Sequence, residues 1–226
     1  MDIAFLSETF MVLLGGLPLT LNLALTSSLI GLLGAIALAL SRVSGIAILA
    51  WWAQVYVFVF RGTPLLIQIF LIYYGLGQFR PTLQEWGLWG MLRSPYWCAV
   101  IALAMNTAAY GSEIIRGGMA AVAHGAIEAA NACGMGTWLR LRRVVFPLAL
   151  RAALPAYGNE LILMVKATSL ASVITLMEVT GLAGKLIAQT YRSVEIFTCA
   201  GIIYLVLNFF LTRLVQVLEW KLSTER

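Results

Sequence analysis

Long apolar runs separated by short polar islands give this chain its plan. Residues 9–41 hold no charged side chain, a stretch longer than the roughly 20 residues a helix needs to cross about 30 Å of hydrocarbon. Gly15, Gly16 and Pro18 interrupt its beginning, so residues up to about Pro18 read as an interfacial approach and 19–41 as a first transmembrane helix. Thr20, Asn22, Thr26, Ser27 and Ser28 give that helix a mildly polar flank suited to packing against other helices. Residues 44–60 carry Trp51, Trp52, Gln54 and Tyr56, the aromatic signature of a membrane interface. Arg61-Gly62-Thr63-Pro64 and a further apolar run to Phe79 follow with no room for a loop. The preferred reading is a surface helix over 44–56 leading into a second span over 57–79, bent at Gly62 and Pro64. Three more spans follow at about 96–115, 155–176 (opened by Pro155) and 196–216. Between them lie an outer loop at 80–95, a polar island at 116–153, and a second outer loop at 178–195 with a short helix near 179–187.

Composition turns this pattern into a class. With 61% hydrophobic and 11% charged residues, the 226-residue chain is predicted to be an all-α polytopic membrane protein of about five transmembrane helices, with no room for a large soluble domain. A net charge of +5 would point to nucleic acid in a soluble protein. Here the cations flank spans, so lipid membrane is the expected partner and nucleic acid is not. Placing the N-terminus outside and the C-terminus in the cytoplasm puts Arg42, Arg61, Arg116, Arg140, Arg142, Arg143, Arg151, Arg213, Lys221 and Arg226 inside. Arg80, Arg93, Lys185 and Arg192 are then left outside, in keeping with the positive-inside bias. Asp2 and Glu8, with no basic residue before Arg42, argue against a cleavable signal. Cys98, Cys133 and Cys199 are too scattered for a metal or redox pair and read as small apolar fillers.

The polar island is the most informative stretch. Residues 128–133 are mostly good helix formers, Gly134 and Gly136 can both adopt positive φ, and the following run is again helical. Two short helices joined by a turn result. Ala126, Ala129, Ala130 and Ala132 leave the first helix open to close approach, which makes it a docking surface; an ordinary amphipathic interfacial loop is the alternative. The spacing Glu128-Ala129-Ala130, Gly134, Val144, Phe146-Pro147 resembles the signature of the membrane subunits of ATP-binding-cassette (ABC) importers. That family more often has Ile and Leu where Val144 and Phe146 stand, and both changes remain apolar. The resemblance implies a single type-1 importer transmembrane domain over 1–226, with a coupling loop at about 117–153. Glu128, Ala129, Ala130, Gly134 and Pro147 would then meet a groove on an ATPase subunit.

Catalytic candidates are nearly absent. The sequence has no phosphate-binding Gly-rich loop with Lys-Ser/Thr, no His-Glu-x-x-His, and one histidine, His124. No catalytic residue, metal site or cofactor is expected on this chain, and the resemblance places ATP-Mg on a partner. Polar groups inside the spans carry the remaining chemistry. Asn106, Tyr110 and Glu113 share one face of the third span at i, i+4, i+7. The fourth holds Asn159, Glu160, Lys166, Thr168 and Ser169, at a cost of around 3 kcal/mol for each charge at mid-membrane. Carboxylate, amide, hydroxyl and amine together match a zwitterionic cargo; a pair that merely holds the bundle, with Glu160 bonded to Lys166 or to the neighbours of Glu113, is the competing reading. Arg61 has two readings as well, a snorkelling anchor or a gate.

Further residues narrow the resemblance. Lys166-Ala167-Thr168-Ser169-Leu170 is similar to the Lys-x-Thr-Ser-Leu region of polar amino-acid permeases, as are Arg61-Gly62-Thr63-Pro64, Ala108-Ala109-Tyr110 and Glu113-Ile114-Ile115-Arg116-Gly117-Gly118. Val122-Ala123-His124-Gly125 and 153–160 resemble permeases for basic amino acids and their opine conjugates. The implied protein is a non-catalytic permease subunit of the bacterial inner membrane. Its implied partners are an identical or homologous permease, ATPase subunits and a periplasmic substrate-binding protein. A cationic cargo would make Glu160 its recognition residue. An autonomous channel or ion-coupled carrier, with Glu160 and Lys166 as coupling charges, is the alternative from another class.

Overall fold

A computed structural model describes residues 3–222; Asp2 and Arg226, used above to orient the ends, lie outside them. Every regular element among the described residues is helical. The first break falls where the glycines predict it, but the segment before it is not a loose approach. It is helix α1 (Ile3–Leu14), and α2 (Leu17–Val43) resumes with Pro18 in its first turn, where a missing N–H costs nothing. Tertiary burial explains the difference: Leu13 is fully enclosed in a cluster with Val179, Ala183, Ile196 and Ile203 from two later helices. At the break, a Cβ on Gly16 would lie 2.6 Å from the Val179 nitrogen, so only glycine fits.

The second span departs from expectation in a different way. Helix α3 (Ala47–Gly62) runs unbroken through the expected boundary at 56–57, and α4 (Leu65–Gln78) leaves it at 104°. The turn lies at Thr63–Pro64, because the residue before a proline is pushed out of helical geometry; Thr63 has φ −115° and ψ 143°. Neither piece, at 16 and 14 residues, reaches the roughly 20 needed to cross alone. The freed carbonyls are repaired locally. The Gln68 amide donates to Phe60 O at 2.9 Å, to Thr63 O at 3.1 Å and to Thr63 Oγ1 at 2.9 Å, as a broken helix at membrane depth requires.

Two short helices, α5 (Arg80–Glu85) and α6 (Trp89–Leu92), fill the loop expected at 80–95, and α7 (Pro95–Ala120) follows as the central rod. Its closest neighbour is α2. Small residues make that approach possible: a Cβ on Gly31 would stand 2.8 Å from Thr107 Cβ, one on Gly34 2.9 Å from Ala108 Cβ, and one on Gly111 2.9 Å from Ala35 Cβ.

The island forms the expected helix, turn and helix. Helix α8 (His124–Ala132) ends at Gly134, φ +73°, and α9 (Thr137–Arg140) begins after Gly136. Gly136, however, has φ −63° and serves as the N-cap of α9 rather than as a second left-handed residue. A π turn over Leu141–Val145 then runs directly into α10 (Phe146–Ala167). The fourth span therefore begins well before residue 155, and the island closes near 145 rather than 153. Pro155 lies inside α10. It forfeits one hydrogen bond, to the carbonyl of exposed Arg151, and the neighbouring helices hold the rod together. A 3-10 turn (Thr168–Ile174) ends at Thr175, φ +70°, before α11 (Val179–Thr190) and the long α12 (Ser193–Leu222). Among the described residues four runs are long and apolar enough to cross a membrane, at Ile3–Val43, Pro95–Ala120, Thr137–Ile174 and Ser193–Lys221. The α3–α4 pair makes the expected five if it counts as one bent span.

Candidate functional site

Where α4, α7 and α10 meet, a cavity of about 230 Å³ is lined by Leu65, Asn106, Thr107, Tyr110, Glu160, Leu163, Met164 and Ala167. Its polar groups come from two helices, Asn106, Thr107 and Tyr110 from α7 and Glu160 from α10. The α3–α4 bend supplies Leu65 and holds Asn106, whose amide donates to Gln68 Oε1 at 3.2 Å and to Phe60 O at 3.4 Å. Thr107 is 1% exposed and its hydroxyl has no hydrogen-bond partner. Glu160 is 9% exposed, and the ion pairs among the described residues leave it out. Arg61 stands over another cavity residue, its guanidinium 5.1 Å from the centroid of the Tyr110 ring. A buried carboxylate without an ion pair is costly, and a cationic ligand would relieve that cost.

The remaining predicted path residues lie elsewhere. Glu113 pairs with Arg42 of α2 and with Arg116, whose Nη2 is 2.9 Å away, so it clamps α2 to α7 outside the cavity. Asn159 and Lys166 share the exposed face of α10, together with Ala152, Pro155, Ala156 and Leu163. The Glu160–Lys166 pair entertained from the sequence does not form. Thr168 donates to Val165 O at 2.7 Å and Ser169 to Lys166 O at 2.7 Å, so both hydroxyls bond their own backbone. Asn106, Tyr110 and Glu160 are thus the three expected residues that converge. Thr107 and Gln68 were missed; Gln68 was legible, because four residues after Pro64 a side chain on the new helix points back toward the break.

The α8–α9 elbow is a separate surface. Glu128 and Ala129 are exposed, Ala130 is buried, and Pro147 sits half-buried in the first turn of α10. The turn is fixed by Gly134 N–H donating to Asn131 O at 2.9 Å and Met135 N–H to Ala130 O at 3.1 Å, while Arg140 bonds the Asn131 side chain. Trp138 stands 73% exposed beside it.

A bent-helix bundle with a polar cavity at membrane depth and a small-residue elbow beyond it defines a membrane transport component. Residues 27–224 match the model of the binding-protein-dependent transport system inner membrane component, and the chain belongs to that family: it is a multi-pass permease subunit of the bacterial inner membrane. The octopine transport system permease protein OccM of Rhizobium radiobacter is 56% identical, with 100% of this chain and 91% of that protein aligned. The nopaline permease NocM of Agrobacterium fabrum is 55% identical over 99% and 92% of the two chains. The arginine ABC transporter permease ArtM of Escherichia coli K12 is 46% identical over 79% and 80%. Among solved structures, an amino acid ABC transporter crystallised with histidines superposes with TM-score 0.88 at 36% identity, covering 98% of this chain and 99% of that one. An inward-facing MetNI methionine transporter, at 18% identity and TM-score 0.74, shares the fold.

Proposed function

We propose that this permease carries cationic amino acids or their opine conjugates inward, and that Glu160 receives the cationic group. The buried, unpaired Glu160 carboxylate facing the cavity is the observation that carries this reading. Asn106, Tyr110 and Thr107 supply neutral polar contacts around it, and the octopine, nopaline and arginine relatives fit a cargo with a positive side chain. Asn159, Lys166, Thr168 and Ser169 have no place in the cavity wall; Lys166 and Asn159 instead argue for a second permease. A lysine and an asparagine on a span's outer face are unfavourable against lipid. Leu163, on the same face, also lines the cavity, so an identical or homologous permease packed there closes the site on its open side.

The chain itself is non-catalytic. Glu128, Ala129, Ala130, Gly134 and Pro147 form the elbow that meets an ATPase subunit, ATP-Mg is held by that subunit, and a periplasmic binding protein delivers cargo at the other end. The elbow then faces the cytoplasm, the N-terminus lies outside and the C-terminus inside. In reconstituted vesicles with the ATPase and an arginine-loaded receptor, Glu160→Gln is expected to lower arginine uptake by about 10- to 100-fold, the loss of one charge-assisted contact. Unchanged uptake in that variant sinks the assignment of Glu160. Uptake that continues in the parent after ATP is depleted, with ion gradients clamped, sinks the ATP-driven reading itself.

A further inference from the structure

Glu178 is a second buried carboxylate, outside the cavity and wholly enclosed at 0% exposure. Both its oxygens are engaged. Oε1 accepts from the Gly181 N–H at 2.8 Å, and Oε2 accepts from the Tyr204 hydroxyl of α12 at 2.7 Å. That hydroxyl also lies 3.2 Å from Thr180 Oγ1. A serine or asparagine would cap α11 equally well without burying an ionisable group. What the glutamate adds is the second bond, to a different helix.

The surroundings leave no slack. On one side the α1–α2 break presses against the Glu178–Val179 backbone, with Gly16 admitting no Cβ, and Val179 N–H donates to Thr20 Oγ1 at 3.4 Å. On the other side a Cβ on Gly181 would overlap the Leu176 carbonyl. Close-packed contacts of this kind favour two discrete positions over gradual sliding. The knot is also linked to the cavity. Thr168 directly follows cavity-lining Ala167, and Tyr204 packs against the cluster that holds cavity-lining Met164. The elbow, by contrast, lies at the opposite end of α10, whose 22 residues span about 33 Å.

We propose that Glu178 and Tyr204 form a latch that holds α11 against α12 while the cavity is empty and that parts once in each transport cycle. Both are positioning residues and touch no cargo. The latch rests on the importer reading above, and it explains why a carboxylate is kept in a place where a neutral cap would suffice.

The test uses the complete assembly of permease and ATPase in lipid nanodiscs. Tyr204→Phe removes one hydroxyl and leaves the ring, so receptor-independent ATP hydrolysis is expected to rise about fivefold as the latch loosens. Parental hydrolysis in a variant that assembles and melts like the parent overturns the proposal. Should Tyr204→Phe fail to assemble, hydrogen exchange on the unmodified assembly decides instead. Backbone amides of α11 are expected to exchange about tenfold faster with vanadate-trapped ATP than without nucleotide. Equal exchange in the two states overturns the latch, since a purely structural bond does not respond to nucleotide. An ATPase that never copurifies with the permease defeats the importer reading and the latch with it; if the latch alone is wrong, the complex still forms and hydrolyses ATP.

Discussion

Helices α7 and α10 are both of spanning length and both carry polar residues within their apolar runs, but they resolve that burden in opposite ways. In α7, Asn106 bonds Gln68 and Glu113 pairs with Arg42 and Arg116, all within the chain. In α10, Glu160 faces a cavity without a partner, and Asn159 and Lys166 point away from the bundle. Of the most apolar window in each run, 61% is buried in α7 and 33% in the run through α10. One helix is an axle whose charged groups are paired within the chain, with only its Asn106–Tyr110 stretch open to the cavity. The other is the working surface where the proposed cargo and second permease would meet the chain.

Changes to the working surfaces should therefore cost transport, and changes to the axle should cost stability. The largest expected effect is at the elbow, where Gly134→Asp puts a charge on a residue at φ +73°. Uptake should fall at least about 100-fold while the protein still inserts, because an unmatched charge in a docking groove costs several kcal/mol. Membrane yield and vesicle uptake together check this, and normal uptake removes the elbow from the mechanism. Next comes Gly31→Leu on α2, packed against the axle, where the added side chain meets Thr107 of α7. A loss of about 1–3 kcal/mol is expected, read as a lowered thermal midpoint of the purified protein. Asn106→Leu sharpens the comparison because it touches both roles. It should cost about 1–3 kcal/mol by stranding the Gln68 Oε1 acceptor, and should also weaken uptake. The smallest effect is expected for Lys166→Gln. If a second permease covers this face, a cysteine at Asn159 should cross-link between copies while Lys166→Gln changes uptake no more than about threefold. Cysteines at 159 that label with lipid-soluble reagents and never cross-link speak against that cover.

Much of this division is legible in the sequence, and its failures have particular causes. The span count, the break at Gly62–Pro64 and the turn at Gly134 all follow from local chemistry: hydrophobic length, a pre-proline residue, and the one residue type at ease at positive φ. Helix α1 was missed because its stability comes from α11 and α12, far along the chain. Pro155 was taken for a helix start because proline usually is one, and α10 tolerates it only with neighbours on both sides. Asn159, Lys166, Thr168 and Ser169 were grouped with Glu160 by type, whereas α-helical geometry puts Asn159 on the next face round and the 3-10 turn takes Thr168 and Ser169 out of register. Thr107 gave no signal at all, since a threonine beside Asn106 in an apolar run reads as filler.

The π turn over Leu141–Val145 has a consequence for how this chain tolerates change. Such a turn is wound wider than an α turn and amounts to one surplus residue in an otherwise ordinary helix. Deleting a single residue from it lets the segment rewind while the elbow and α10 keep their mutual phase. Adding one swings the alanine face by about 100° about the helix axis. Length variation at this point is thus expected to run in one direction only, toward the shorter chain.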